Sequence, residues 1–184
     1  MNRSTWAVVP VRASSVAALI RGNHYLHRMP GVVPCAMAVE VDGWVKGALV
    51  WALPPMETAK RYGGVTWELA RLWLADELPF NSESWVIGRA IKHVRREHPE
   101  IKFLVSYADP AAGHRGTIYM ATNWRYEGLT DAERKTPRFD YVANGRRIGR
   151  ASHGVGMLVE KVRRQPKHRF SMALERSVAL ERVS

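Results

Sequence analysis

The spacing of hydrophobic and polar positions changes several times along this chain, and each change predicts an element. Residues 6–11 (WAVVPV) form an apolar run of strand length. Val16, Leu19 and Ile20 then fall at helical spacing, with Ser14 or Ser15 placed to cap the helix. Gly22 breaks that pattern ahead of Asn23-His24-Tyr25-Leu26-His27-Arg28, where His24 and His27 would share a face if the turn is helical. Two apolar runs, 35–41 and 44–51, flank Asp42-Gly43, a strong hairpin signal. Pro54-Pro55 ends the second run, and 56–64 reads as a loop. Residues 65–74 (VTWELARLWL) read as a strand interrupted by Glu68 and Arg71. At odd spacing these two lie on opposite faces of a regular strand, so a direct ion pair between them is not expected.

A helix is predicted over about 81–98, with Ile87, Ala90, Ile91 and Val94 on its buried face and Arg89, Lys92, Arg95 and Arg96 opposite. Asn81 or Ser82 is its cap and Pro99 its stop. Its amino terminus follows a strand and suits an anion, with Ser84 adding a hydroxyl. The stretch 103–124 (FLVSYADPAAGHRGTIYMATNW) comes next, and the other elements are arranged around it. Phe103-Leu104-Val105 opens it as a buried strand, which 101–106 would place at the centre of the sheet. The chain turns polar at Ser106-Tyr107-Ala108-Asp109, loops through Pro110 and Gly113, and reads as a helix from His114 to Trp124. A strand that ends by presenting Ser, Tyr, Asp and His has the layout of a site in an open α/β sheet. Taken singly, each is also an ordinary turn residue, Asp109 as an Asx turn above all.

Residues 139–143 form another strand-like run before the Asn144-Gly145 turn, and 171–184 read as a short terminal helix or a tail. No internal repeat or domain boundary is visible. Residues 1–184 are therefore expected to form a single domain with a basic carboxyl-terminal region from about 134.

Composition narrows the partners. The formal net charge of +11 favours an anionic partner: nucleic acid, a polyphosphate cofactor or, weakest of the three, a membrane surface. The basic residues Arg138, Arg146, Arg147, Arg150, Lys161, Arg163, Arg164, Lys167 and Arg169 are the expected phosphate contacts. No apolar run approaches the roughly 20 residues of a spanning helix, and the first ten residues lack a signal-peptide pattern. The single cysteine, Cys35, rules out an internal disulfide, fits a reducing cytoplasm, and sits in an apolar run that suits a small core residue.

The order of elements resembles the GNAT acyltransferase fold, an α/β (α+β) class with a mixed, mostly antiparallel central sheet flanked by helices. His24-Tyr25, Glu68 to Trp73, Asn81 with Ser84, Ser106 to Pro110, and the His114–Gly116–Tyr119–Thr122-Asn123-Trp124 series together resemble the phage Mom family of DNA-modification proteins. The resemblance implies transfer of a methylcarbamoyl (acetamido) group to the exocyclic amine of adenine in phage DNA, protecting it from host restriction. It carries the site onto His24, Tyr25, Arg71, Ser84, Asp109 and Tyr119. Asp109 would be the general base, Tyr119 a proton donor or orienter, His24 a second base, and Arg71 a holder of carboxylate or phosphate.

Iron has been connected with the family, and His24 with Asp109, joined by Tyr25 and Tyr119, would be the N/O ligand set. Residues 78–84 carry no glycine, whereas the wider superfamily cradles a pyrophosphate there; this disfavours an acyl-CoA donor and leaves the donor unknown. Double-stranded DNA is the expected partner, a second copy of the chain a further one, and the infected cell's cytoplasm the expected place. The alternatives are a GNAT N-acetyltransferase using acetyl-CoA on a small-molecule or protein amine, and a basic DNA-binding module without catalysis.

Overall fold

The computed structural model describes residues 5–132, 134–144, 146–148 and 158–174. Strand β1 (Trp6–Val11) leads into helix α1 (Ala13–Asn23), followed by the hairpin β2 (Cys35–Val41) and β3 (Trp44–Ala52). Asp42 and Gly43 turn the hairpin at φ of 52° and 81°, the left-handed pair that a tight two-residue turn requires. Helix α2 (Met56–Arg61) precedes β4 (Thr66–Leu74), α3 (Ser82–Glu97), β5 (Phe103–Ala108) and α4 (Thr117–Met120). Then come β6 (Arg125–Leu129), β7 (Phe139–Ala143), β8 (Arg146–Ile148), β9 (Glu160–Arg163) and β10 (His168–Ala173).

Among the described residues, seven strands form one sheet in the order β1-β2-β3-β4-β5-β10-β6, and β8-β7-β9 form a second. Every pairing is antiparallel except β4 with β5. The expected mixed, mostly antiparallel sheet is therefore present, with β5 in its interior between β4 and β10.

Each face of the sheet carries a helix. Val86, Ile87, Ala90, Ile91 and Val94 of α3 pack on Met37, Val39, Leu49, Trp51, Leu69 and Leu104. On the other face, Val16 and Ile20 of α1 meet Ala36, Ala38, Ala48 and Val50, small and branched residues that let the helix come close. Removing this much apolar surface from water is the main force holding both helices down.

Four local expectations need correcting. The segment read as a loop at 56–64 contains α2, a single six-residue stretch with no buried residue and hence no periodic signal. Helix α1 begins at Ala13, so Ser14 and Ser15 lie inside it, and Arg12 stands at its cap without a side-chain bond. The long helix expected from His114 to Trp124 is only α4, because Gly116 at φ 80° starts it late. Of the segment 171–184, expected as a terminal helix or a tail, the first residues belong to strand β10, in which Phe170 and Met172 face the core while Arg169 and Ser171 alternate with them; 175–184 lie outside the described residues.

Candidate functional site

The site begins with a single extra residue in β4. Leu69 stands opposite Trp51 and Arg71 opposite Val50, so Ala70 has no counterpart on β3. This bulge reverses the alternation, which places Glu68 and Arg71 on the same face despite their odd spacing. It also ends the pairing with β5, which runs only from Thr66–Phe103 to Leu69–Ser106. Beyond that point β4 and β5 diverge. A cleft of about 640 Å³ opens there, lined by Leu69 to Leu74 on one side and by Tyr107, Ala108 and 113–119 on the other. Asn23, His24 and Tyr25 form a third wall.

Arg71 fixes that third wall. It is buried, and its Nε donates to the Arg28 carbonyl at 2.8 Å while Nη1 donates to the Ala70 carbonyl. The segment 24–28 is thus tied to the bulge by a guanidinium fork. Histidine 24 caps the end of α1 and is buried. Its Nδ1 accepts from the Leu26 N–H at 3.1 Å. Burial first, then the charge of Arg71 and neighbouring histidines, pulls its pKa down to about 4. At neutral pH the ring is uncharged, and with Nδ1 accepting, its proton sits on Nε2. His24 therefore offers a hydrogen-bond donor to the cleft, where the resemblance implied a second base. Tyr25 stacks on it at 4.5 Å and is 40% exposed, with His114 a further 5.1 Å away across the tyrosine.

Tyr119 closes the bottom. Its ring packs against Trp124 and Phe170, and its hydroxyl lies 2.8 Å from Ser106 Oγ, itself 2.8 Å from the Leu69 carbonyl. The Ser106 hydroxyl has one hydrogen, so the arrangement that satisfies all three atoms runs Tyr119 to Ser106 to Leu69. Burial pushes the Tyr119 phenol up to about 12, so it remains protonated. Gly116 makes the close approach possible, since a Cβ there would sit 2.3 Å from the Phe170 ring.

His24, Tyr25, Arg71 and Tyr119 thus share one cleft. Two expected site residues stand elsewhere. Ser84 Oγ donates to the Asn81 carbonyl at 3.1 Å, outside the cleft wall. Asp109 is buried beneath it, with Oδ1 accepting from the Ala111 N–H at 3.1 Å and Oδ2 on Lys167 Nζ at 2.8 Å. Those two bonds hold the turn that carries Gly113 to Gly116 into the wall. The proposed iron set is consequently not assembled: Asp109 faces Lys167, and the Tyr119 hydroxyl faces Ser106.

Glu68, Tyr107 and His114 are the residues that the sequence reading left without a role. Burial raises the Glu68 carboxyl, opposed by the charges of Arg71 and Lys167. The Tyr107 hydroxyl bonds Thr58 Oγ1 of α2 at 3.1 Å, and burial raises its pKa. The apolar-polar switch at Tyr107 and His114 was visible in the sequence, whereas the bulge that turns Glu68 toward Arg71 was not.

The basic residues divide likewise. Arg164 binds Asp140, Arg138 lies 3.4 Å from Asp131, and Lys161 sits over the Phe139 ring at 4.3 Å. Arg163 is exposed on β9. Arg169 lies opposite Tyr107, and its buried Nε has no hydrogen-bond partner among the described residues. Arg146 and Arg147 belong to β8, and Arg150 lies outside the described residues. Among the described residues, no helix is long and apolar enough to cross a membrane.

Solved structures share this architecture. A Salmonella typhimurium protein described as an acetyltransferase with its cofactor acetyl-CoA superposes with a TM-score of 0.55 at 10% identity, over 96% of this chain and 98% of that one. An N-acetyltransferase from Staphylococcus aureus gives 0.54 at 11% identity, over 94% and 100%. An aminoglycoside acetyltransferase in complex with coenzyme A and kanamycin gives 0.53 at 9% identity, over 67% and 87%. The fold is that of the GNAT acetyltransferases. Two of these neighbours hold coenzyme A or its acetyl form, which runs against the expectation that an acyl-CoA donor is disfavoured. No glycine occurs between Ala75 and Ile87, and the cleft lining carries both signs of charge, Asp76 and Glu83 beside Arg71 and Arg115.

Among characterised proteins, the methylcarbamoylase Mom of Escherichia phage Mu is 41% identical over 61 residues, 33% of this chain. The matched segment covers only a quarter of that relative's length. The model of the Mom protein family matches residues 5–181, and the chain belongs to that family.

Proposed function

We propose that the protein is a DNA-modification enzyme that adds a methylcarbamoyl (acetamido) group to the exocyclic amine of adenine in duplex DNA, shielding phage DNA from restriction in the infected cell's cytoplasm. The observation that carries this reading is the convergence of His24, Tyr25, Arg71 and Tyr119 on one cleft in a chain of the Mom family. A volume of about 640 Å³ accommodates a nucleotide swung out of the duplex. Tyr25, exposed and backed by the His24 ring, offers the stacking surface for the extruded base.

The adenine amine is a weak nucleophile because its lone pair is delocalised into the ring. Forming the new N–C bond leaves that nitrogen cationic until a proton departs, while the donor's leaving group takes the bonding electron pair. His114, on the cleft wall beside Tyr25, is placed to receive that proton. Neutral His24 orients through Nε2–H, and Tyr119, its phenol proton committed to Ser106, acts as a positioning residue that fixes the floor of the cleft. Asp109 acts as a positioning residue through Lys167 and the 110–113 turn.

A second reading is an N-acetyltransferase on another amine, favoured by the neighbours that hold coenzyme A. Mass spectrometry of nucleosides from DNA of cells expressing the protein separates the two. Acetamido-adenine is the expected product. Unmodified DNA, together with acetyl-CoA turnover by the purified chain, would overturn the proposal.

A further inference from the structure

At the far end of α3 from the cleft lies a second cluster of chemistry. Cys35, the first residue of β2, faces His93 of α3 and His98 at its cap. One sulfur and one nitrogen from each ring all lie within 4.8 Å of one another. His93 is ten positions beyond Glu83, which lines the cleft, so about 15 Å of helix separates the two places.

From this geometry we propose that Cys35, His93 and His98 form a site for a borderline divalent metal of the zinc class, independent of the modification cleft. A thiolate with two imidazoles is a donor set that selects such an ion over magnesium or calcium. Bonds of 2.0–2.3 Å in a tetrahedron give donor–donor edges of about 3.3–3.8 Å. The present spread therefore closes with side-chain shifts of about an ångström, which the half-buried histidines have room to make. Glu100 lies 3.4 Å from His98 Nδ1. A carboxylate on one ring nitrogen is the usual way that a ligating histidine is oriented to present the other.

Binding breaks the Cys35 S–H bond, so one proton leaves for solvent as the metal–sulfur bond forms. Burial holds the free thiol at about 11, so Cys35 is protonated before binding. With ligands from β2 and from both sides of the last turn of α3, the ion would pin the helix end to the sheet.

The test is Co(II) titration of the untagged full-length protein, with Zn(II) as competitor. The expected result is one equivalent bound, with a thiolate-to-cobalt charge-transfer band and intense tetrahedral d–d bands, both erased by Zn(II). Cys35→Ser should lose the charge-transfer band. His93→Gln and His98→Gln, at half-buried positions, should each lower affinity at least tenfold. One equivalent of Zn(II) should raise the melting temperature by roughly 5–10 °C in wild type only. No Co(II) band in the wild type, or the same band in both histidine variants, would overturn the site. Should Cys35→Ser not fold, alkylation of Cys35 in the wild type decides: Zn(II) slows it if the site is real and leaves its rate unchanged if not.

Discussion

In the cleft between β4 and β5, the chain's own backbone positions the polar groups: the Arg28 and Ala70 carbonyls hold Arg71, the Leu26 N–H holds His24, and the Leu69 carbonyl anchors Ser106 and through it Tyr119. In the three-stranded sheet and the segment leading into it, carboxylates position the cations: Asp140 holds Arg164, and Asp131 faces Arg134 and Arg138. The first arrangement is rigid and leaves few orientations open. The second leaves Arg134 and Arg138 partly in water, where a pair with Asp131 contributes little and is easily exchanged for a phosphate, whereas the buried Asp140 needs Arg164. Precise geometry belongs to the cleft; on the proposed function, the basic region from about 134, the arm, would supply the exchangeable charge that sequence-tolerant DNA binding needs. Lys167 joins the two, its backbone paired with Thr130 and its amine on Asp109.

The largest effect expected from a single atom is in the cleft. Tyr119→Phe keeps the packing on Trp124 and Phe170 and removes only the phenol. Adenine modification should fall by roughly 10²-fold, measured as turnover on a fixed DNA, because the Ser106–Leu69 chain that fixes the cleft floor loses its outer link, with the melting temperature nearly unchanged. A loss of less than about tenfold would assign the hydroxyl to packing alone.

Asp109→Asn sharpens the boundary between the regions. Asparagine still caps Ala111 but loses the ion pair with Lys167. Stability should drop by about 1–3 kcal/mol by denaturant titration. Turnover should fall only several-fold, far less than removal of a general base would cause, roughly 10²-fold or more. A loss of that larger size with stability intact would return Asp109 to the role of base.

On the arm, Arg163→Ala should weaken DNA binding equally for all sequences and lower the slope of log affinity against log salt by about 0.9, at unchanged melting temperature. Arg164→Ala should weaken binding and also destabilise, because Asp140 loses its partner. Equal behaviour of the two variants would erase the distinction between free and internally held cations.

The smallest effect concerns pH. His24 has its pKa lowered from 6.5 to about 4, so the unfolded chain takes up a proton before the folded one does. Stability from this residue is whole above pH 6.5 and declines as pH falls toward 4, by about 3 kcal/mol at most. His24→Gln should flatten that part of an acid-denaturation curve.

Much of the sheet was legible in sequence because its signals are local. Asp42-Gly43 names its own turn, and the spacing of Ile87, Ala90, Ile91 and Val94 names the buried face of α3. The bulge at Ala70 left no such mark, since it follows from register with β3 and not from residue type. That is why Glu68 and Arg71 looked incompatible. Strand β10 was hidden because its first half reads with the basic residues before it and its second half with the segment 171–184, although His168, Phe170 and Met172 alternate with Arg169 and Ser171. In the site, the family pattern located His24, Tyr25, Arg71 and Tyr119. It could not indicate that Asp109 turns away to Lys167, because that contact joins positions far apart in the chain.

The central claim is that the cleft performs the modification while the arm supplies affinity. Its most direct test is the fraction of acetamido-adenine in DNA from cells expressing, at equal levels, the wild type, Arg71→Lys or Arg163→Ala. Lysine keeps the charge of Arg71 but cannot fork to the Arg28 and Ala70 carbonyls. The account predicts the modified base in wild type, a reduced but clear amount with Arg163→Ala, and roughly 10²-fold less with Arg71→Lys. Equal modification by Arg71→Lys and wild type, or loss only with Arg163→Ala, would contradict it.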